Sequence, residues 1–138
     1  MRYVGLGRRL AAAFVDGLIA IFGLGFAVAA LLGKATTTAD GVEYHLEGGA
    51  ALALFGVWLL YFVAFEATLG ATLGKLIFGL RVRSSDGGRI GWLASLVRNL
   101  LRAVDVCFGC VGAFLICFSP RRQRLGDRAA GTVVVQPS

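Results

Sequence analysis

The sequence is poor in the residues from which most catalytic and metal sites are built. It has one histidine, His45, and only eight aspartates and glutamates against fourteen lysines and arginines. Neither a Ser/His/Asp set nor a metal-binding cluster can be assembled around that single histidine. Enzyme activity, a bound metal and an organic cofactor are therefore not expected.

Two patterns that resemble known sites lack an essential part. The glycines before Lys75 do not have the spacing of a G-x4-G-K-[ST] phosphate loop, and Leu76 stands where the loop requires a hydroxyl residue. Cys107 and Cys110 form a C-x-x-C pair, but neither a histidine nor a second pair accompanies it. We therefore expect no nucleotide site, and we interpret these cysteines and Cys117 as small packing residues.

Apolar residues make up 57% of the chain, and its mean hydropathy is +0.77. Two runs are long enough to cross a hydrocarbon core of ~30 Å at ~1.5 Å per residue. The first run, residues 10–33, contains Asp16 as its only charge before Lys34 follows it, and the second, residues 48–66, is uncharged until Glu66. A secretory signal peptide fits the first run poorly, because its apolar part is typically ~7–15 residues long.

Basic residues flank these runs instead of forming a separate tail, so the net charge of +6 does not predict nucleic-acid binding. Three arginines precede residue 10, six basic residues lie within 66–102, and residues 34–47 hold one lysine against three acids. The positive-inside rule then places the N-terminus and the middle segment in the cytoplasm and the acidic loop outside. The expected location is the plasma membrane, as a multi-pass protein.

A third charged segment covers residues 92–118. On a helix, Arg98, Arg102 and Asp105 stand at i, i+4 and i+7 and form one stripe. The same Arg-x6-Asp spacing separates Arg9 from Asp16. Charges at membrane entries are costly, so we expect Asp16 to face Arg98 or Arg102, and Asp105 to lie near Arg9.

The course of this third segment is open between two alternatives. Four arginines follow Phe118 and favour the cytoplasm, whereas a third full crossing would place them outside. The apolar part, residues 106–118, would form only ~20 Å of helix, which is short of a span. The segment is therefore either interfacial and re-entrant, or it spans the membrane by extending back through Arg98.

A small β element is expected in the cytoplasmic layer. Leu80–Arg83 alternates apolar and charged residues, a turn signature follows it, and Arg89–Trp92 would be the return strand. The β-branched run Thr132–Val135 is expected to pair with Leu80–Arg83. The predicted fold is therefore an all-α integral membrane domain over residues 1–138, with two transmembrane helices, the third segment and this β element.

Several motifs, taken in order and spacing, resemble the RDD family over nearly the whole chain. They are RRLAAAFVD (Arg8 to Asp16), Glu66 to Lys75, GLRV (Gly79 to Val82), RNLLRAVD (Arg98 to Asp105) and the stretch from Gln123 to Val134. The resemblance implies a small polytopic membrane protein, a family usually described with three spans. It also implies a role in transport, because some members are reported as sodium/proton antiporters.

Carried over by position, the resemblance assigns the residues that name the family to Arg9, Asp16 and Asp105. It adds Glu66, Lys75, Arg98 and Asp127 as further motif positions. Arg102 is a further candidate because it stands on the same helical stripe as Arg98 and Asp105. The resemblance does not decide what these residues do.

Two functions remain open. In the first, the charges form an ion or proton pathway, with Asp16 and Glu66 exchanging a proton for a cation. In the second, the charges lock helix to helix in a non-transporting scaffold or accessory subunit. The expected partners are the lipid bilayer, anionic lipid at the cytoplasmic face, a monovalent cation or proton, and further copies of the chain in a homo-oligomer.

Overall fold

The computed structural model describes residues 2–32, 35–44, 47–107 and 111–137. Helices dominate these residues, and short strands accompany them. In chain order the elements are β1 (Arg2–Tyr3), α1 (Leu6–Leu31), β2 (Ala35–Thr38), β3 (Gly41–Tyr44), α2 (Gly49–Leu69), α3 (Leu73–Ile77), β4 (Arg81–Ser84), α4 (Trp92–Cys107), α5 (Val111–Phe118), α6 (Leu125–Ala129) and β5 (Thr132–Gln136).

Within the described residues, α1 and α2 are the two helices that are long and apolar enough to cross a membrane. They contain 26 and 21 residues, and α1 includes a π-helical stretch at Ile19–Gly25. The two predicted runs are therefore confirmed as helices, with boundaries shifted by a few residues. One consequence is that Arg9 lies inside α1 and Glu66 lies in the last turns of α2.

Helix α4 turns its polar face inward and its apolar face outward. Ser95, Arg98 and Asn99 are fully buried. The exposed positions are instead large and apolar: Trp92, Leu93, Leu96, Leu100 and Val104. A helix in water would show the opposite arrangement, so this face fits contact with lipid.

A three-stranded antiparallel sheet has the order β1-β5-β4. Val82 pairs with Val134 and Arg83 with Val133, which confirms the predicted pairing of the two β-branched segments. The predicted return strand at residues 89–92 is wrong, because Trp92 begins α4. The other edge of β5 pairs with β1, which is only two residues long and gave no recognisable pattern in the sequence.

The sheet restricts the course of residues 92–118. The chain leaves the sheet at Ser84 and returns to it at Thr132, and hydrogen-bonded strands lie on one side of any membrane. The strand pairing therefore favours the interfacial and re-entrant alternative, and the course of the segment through the membrane stays a prediction. Neither α4 nor α5 qualifies as a span by length and composition, and residues 108–110 lie outside the described residues.

The loop between the two spans contains a hairpin that the sequence did not predict. Strands β2 and β3 pair in antiparallel register, with Thr38 opposite Gly41. His45 and Cys110 lie outside the described residues. Cys107 and Cys117 are exposed, which does not fit their interpretation as small packing residues.

Candidate functional site

A buried chain of ion pairs connects five helices. Lys75 of α3 contacts the Glu66 carboxylate of α2, whose Oε2 lies 2.9 Å from Arg98 Nε of α4. Arg98 Nη1 lies 2.7 Å from Asp127 Oδ1 of α6, and Asp127 Oδ2 lies 2.7 Å from Arg9 Nη1 of α1. We call these five residues the ion-pair chain.

Arg98 occupies the middle of this chain because small and polar neighbours make room for it. A Cβ atom at Gly126 would stand 2.7 Å from the Arg98 carbonyl oxygen, so only glycine lets α6 pack this closely on α4. Thr132 Oγ1 accepts a hydrogen bond from Arg98 Nη1 at 3.2 Å. Asn99 donates to Glu66 Oε2 at 2.9 Å and so satisfies a further acceptor of that carboxylate.

Asp127 is a fully buried carboxylate surrounded by arginines. Burial alone would raise the pKa of Asp127, but attraction by Arg98, Arg124 and Arg9 outweighs it and holds the pKa well below its usual range. The backbone N–H of Arg124 also donates to Asp127 Oδ2 at 3.3 Å, which caps the start of α6. The ionised carboxylate therefore fastens α6 to both α1 and α4.

Asp16 lies apart from the ion-pair chain and is bound by uncharged donors. Its carboxylate accepts hydrogen bonds from Thr72 Oγ1 at 2.5 Å, from the Gly74 N–H at 2.8 Å and from the Tyr61 hydroxyl at 3.1 Å. The predicted pairing of Asp16 with Arg98 is therefore wrong, because Glu66 and Asp127 occupy that guanidinium.

Gly74 allows α3 to approach α1. A Cβ atom there would stand 2.8 Å from Asp16 Cγ and would also collide with the Ala12 carbonyl oxygen. Thr72 precedes α3, and its hydroxyl points back to α1 through the bond to Asp16. Asp16 thus joins α1 to the segment that follows α2.

A cavity of about 150 Å³ lies among α1, α4 and α5. Most of the charged residues predicted from the sequence line it. They are Arg9, Asp16, Lys75, Arg98, Arg102 and Asp105, and Arg124 joins them. We call this space the arginine cavity. Glu66 and Asp127 do not line the cavity themselves, but they form ion pairs with Lys75 and Arg98, which do.

Arg102 lies beside the ion-pair chain and stacks on an aromatic ring. Its guanidinium carbon is 4.2 Å from the centroid of Phe62 and 6.0 Å from that of Trp58. Both rings belong to α2, so this cation–π contact also holds α4 against the second span. The expected ion pair of Arg102 with Asp16 is not formed, since uncharged groups bind Asp16.

Sequence reasoning missed several members of the site. Tyr61 and Thr72 are ordinary residues by type and spacing, and only the fold brings them to Asp16. Arg124 stands three residues before Asp127. That spacing fits a helix-capping pair, and it could have indicated from the sequence that Arg124 lies close to Asp127. Arg9 forms an ion pair with Asp127 that the spacing did not predict, and it lines the arginine cavity together with Asp105, near which the spacing had placed it.

Among residues 2–32, 35–44, 47–107 and 111–137, no group of three or more histidine, cysteine, aspartate or glutamate side chains is placed to hold a metal ion. The fold and the site together define a class: a small helical protein with two apolar helices of spanning length, tied to a three-stranded sheet by buried charges. Residues 3–131 match the sequence profile of the RDD family. The chain belongs to that family.

The relatives support a membrane location and no particular activity. The chain is 27% identical to "Proline-rich antigen" of Mycobacterium leprae over 91% of its own length and 57% of the relative. It is 32% identical to "Uncharacterized membrane protein YteJ" of Bacillus subtilis over 57% of its length and 48% of the relative.

The chain is also 32% identical to "Uncharacterized protein RP437" of Rickettsia prowazekii, over 55% of its length and 42% of the relative. It spans about half the length of the curated relatives that it matches. No solved structure matches this chain significantly. The family and the relative named as a membrane protein point to a membrane location.

Proposed function

We propose that this RDD protein is a non-transporting membrane scaffold or accessory subunit, and that its buried charges fasten the two spans to α4, α6 and the sheet. The ion-pair chain is the observation that carries the proposal. Glu66 contacts both Lys75 and Arg98, and Asp127 contacts both Arg98 and Arg9. A carboxylate that exchanges protons or cations during transport must leave its partner, whereas a standing arginine contact favours the ionised, paired state.

A proton- or cation-coupled carrier is the second candidate function, and Asp16 favours it. Its hydrogen-bond donors are uncharged, and it lines the arginine cavity. Among the described residues no lysine or arginine forms an ion pair with the Asp16 carboxylate, so a cation that reached it would not have to displace one. Two spans do not enclose a pathway alone, so this function requires a homo-oligomer.

For either function, we propose that the basic face of the protein lies in the cytoplasm of the plasma membrane, against anionic lipid, and that nucleic acid is not a partner. The argument is the distribution of basic residues around the spans. A reporter cysteine at the exposed Ala39, between β2 and β3, should then be labelled by a membrane-impermeant reagent added outside intact cells. Labelling only after the cells are opened would reverse this orientation.

Flux through sealed vesicles separates the two functions. Purified wild-type protein is reconstituted, and a sodium or pH gradient is imposed. The scaffold predicts no flux above that of protein-free vesicles. The carrier predicts flux that Asp16→Asn abolishes and that Asp40→Asn, an exposed change of the same kind, leaves intact. Gradient-driven flux by the wild type would overturn the scaffold proposal.

The folded state of each variant must be known before its flux is interpreted. Asparagine can still accept the Gly74 N–H bond, but its amide loses the bond that Thr72 donates to the carboxylate. Circular dichroism and size-exclusion chromatography of Asp16→Asn should therefore accompany the flux measurement. A folded variant without flux, beside an active wild type, would identify Asp16 as part of a pathway.

A further inference from the structure

We propose that the arginine cavity binds the phosphate group of an acidic phospholipid. This inference goes beyond the scaffold function and does not depend on it, since either a scaffold or a carrier could hold such a lipid. Four observations support it: unpartnered guanidinium nitrogens, an excess of positive charge, an apolar wall and a lipid-facing neighbour helix.

The guanidinium groups of the cavity have unused donors. Arg9, Arg98, Arg102 and Arg124 all line it, and Arg98 is fully buried. Among the described residues, Nη2 of Arg9 and Nη2 of Arg98 are buried and have no hydrogen-bond partner. A buried donor left unpaired is costly, and a guanidinium edge matches a phosphate group in geometry and charge.

The cluster also carries more positive than negative groups. Its basic members are Arg9, Lys75, Arg98, Arg102 and Arg124, and its carboxylates are Asp16, Glu66, Asp105 and Asp127. One positive charge is therefore left over when every group is ionised. A phosphodiester supplies one negative charge, which would balance the cluster in a region where an uncompensated charge is costly.

The remaining wall of the cavity is apolar. Leu6, Leu10 and Ala13 of α1 and Ile116 of α5 line it. Leu10 is 55% exposed, so this wall continues onto the outer surface of the first span. A free phosphate ion gains nothing from such a wall, whereas the glycerol and acyl chains of a lipid pack against it.

The position of α4 also favours an acidic lipid as the bound anion. Helix α4 supplies Arg98 and Arg102 from its inner face while its outer face is apolar and exposed. A helix of that kind lies at the boundary of headgroups and acyl chains, where lipid phosphates are located. Basic pockets between membrane helices are known to bind acidic headgroups.

The full chain, purified in a detergent with an uncharged headgroup, can be titrated with three probes. These are short-chain phosphatidylglycerol, phosphatidylcholine of the same chain length, and inorganic phosphate. Binding to the folded state raises the thermal unfolding midpoint. We expect a saturable rise with phosphatidylglycerol and little change with the other two probes over the same concentration range.

Two variants test the location of the site. Arg102→Gln removes a cavity cation that stacks on Phe62 and is not a link of the ion-pair chain. Ala13→Leu fills the cavity without changing its charge. Arg102→Gln should weaken the response to phosphatidylglycerol by roughly tenfold to a hundredfold, as expected for the loss of a charge-assisted hydrogen bond. Ala13→Leu should also weaken it, because the larger side chain takes up the space that the lipid would occupy. Arg89→Gln removes the same charge from an exposed position and should leave the response within about twofold.

Three results would overturn the proposal. The first is an unchanged response in Ala13→Leu, which stays informative even if Arg102→Gln fails to fold. The second is an equal loss in Arg89→Gln, which would indicate general surface attraction. The third is an equal midpoint rise with inorganic phosphate, which would identify a site for the free ion instead of a lipid.

Discussion

Replacing Arg98 or Glu66 alone is expected to destabilise the protein strongly. Replacing both together should cost less than the sum of the two single changes. Arg98→Gln leaves Glu66 with Lys75 alone and Asp127 without its central partner, and removing one member of a buried pair costs about 3–5 kcal/mol. Glu66→Gln should have a similar cost, because Arg98 cannot lose its proton.

The double variant should be less damaging than the sum of the two single variants. It removes both partners of the pair with an Nε to Oε2 distance of 2.9 Å, and the Lys75 that remains can neutralise by losing a proton. Interaction free energies between such neighbours are typically ~0.5–3 kcal/mol. We expect a value in the upper part of that range, since both side chains are fully buried.

Unfolding in mixed micelles, with sodium dodecyl sulfate as denaturant and helicity followed by circular dichroism, gives the free energies needed for this cycle. Asp86→Asn and Arg89→Gln form a control cycle on an exposed turn, where each change should lie within about 0.5 kcal/mol of zero. Additive losses for Arg98 and Glu66, within the same error, would refute the interpretation that their contact holds α2 to α4.

Three further predictions follow from other parts of the structure. Gly74→Ala should destabilise the fold by about 1–3 kcal/mol because its methyl group meets α1, whereas Gly56→Ala, which has open space around it, should be neutral or stabilising in the same micelle assay. Asp127 has a lowered pKa in the folded state, so its contribution to the free energy of unfolding is fully present above its unfolded pKa of ~3.9 and is lost as the pH falls through its folded pKa. Asp127→Asn should therefore reduce the dependence of the free energy of unfolding on pH in this acidic range. An unchanged dependence would contradict this prediction. Cysteines introduced at Asp86 and Pro137 should be labelled from one side of the membrane in a cysteine-free background, because β4 and β5 are paired, and labelling from opposite sides would exclude that pairing.

The lipid-facing helices and the β pairing were predictable from local patterns. An apolar run of spanning length can be identified from its own sequence, without knowing what it packs against, because the thickness of the hydrocarbon core fixes the length of a spanning helix. The pairing of β4 with β5 was predictable because Thr132–Val135 is β-branched throughout and too short to be stable alone. The family motifs also identified the charged residues that the fold gathers around the arginine cavity.

The partners of those charges were not predictable. Arg9 and Asp127 are 118 residues apart, and their contact depends on a five-residue helix packed through Gly126. The repeated Arg-x6-Asp spacing indicated which helix face carries charge, but spacing within one helix contains no information about the facing helix. The prediction that Asp16 pairs with an arginine was wrong for this reason.

The sequence by itself therefore determined the helices, their apolar surfaces and the presence of costly charges among them, because each of these properties is local. Only the tertiary structure decided which carboxylate meets which cation. It also decided that four arginines line one cavity and that, among the described residues, Nη2 of Arg9 and Nη2 of Arg98 have no hydrogen-bond partner. The physical reason is that a buried charge is stabilised by an opposite charge or a hydrogen-bond donor close to it. Which group lies that close depends on how the helices pack, as they do at Gly74 and Gly126.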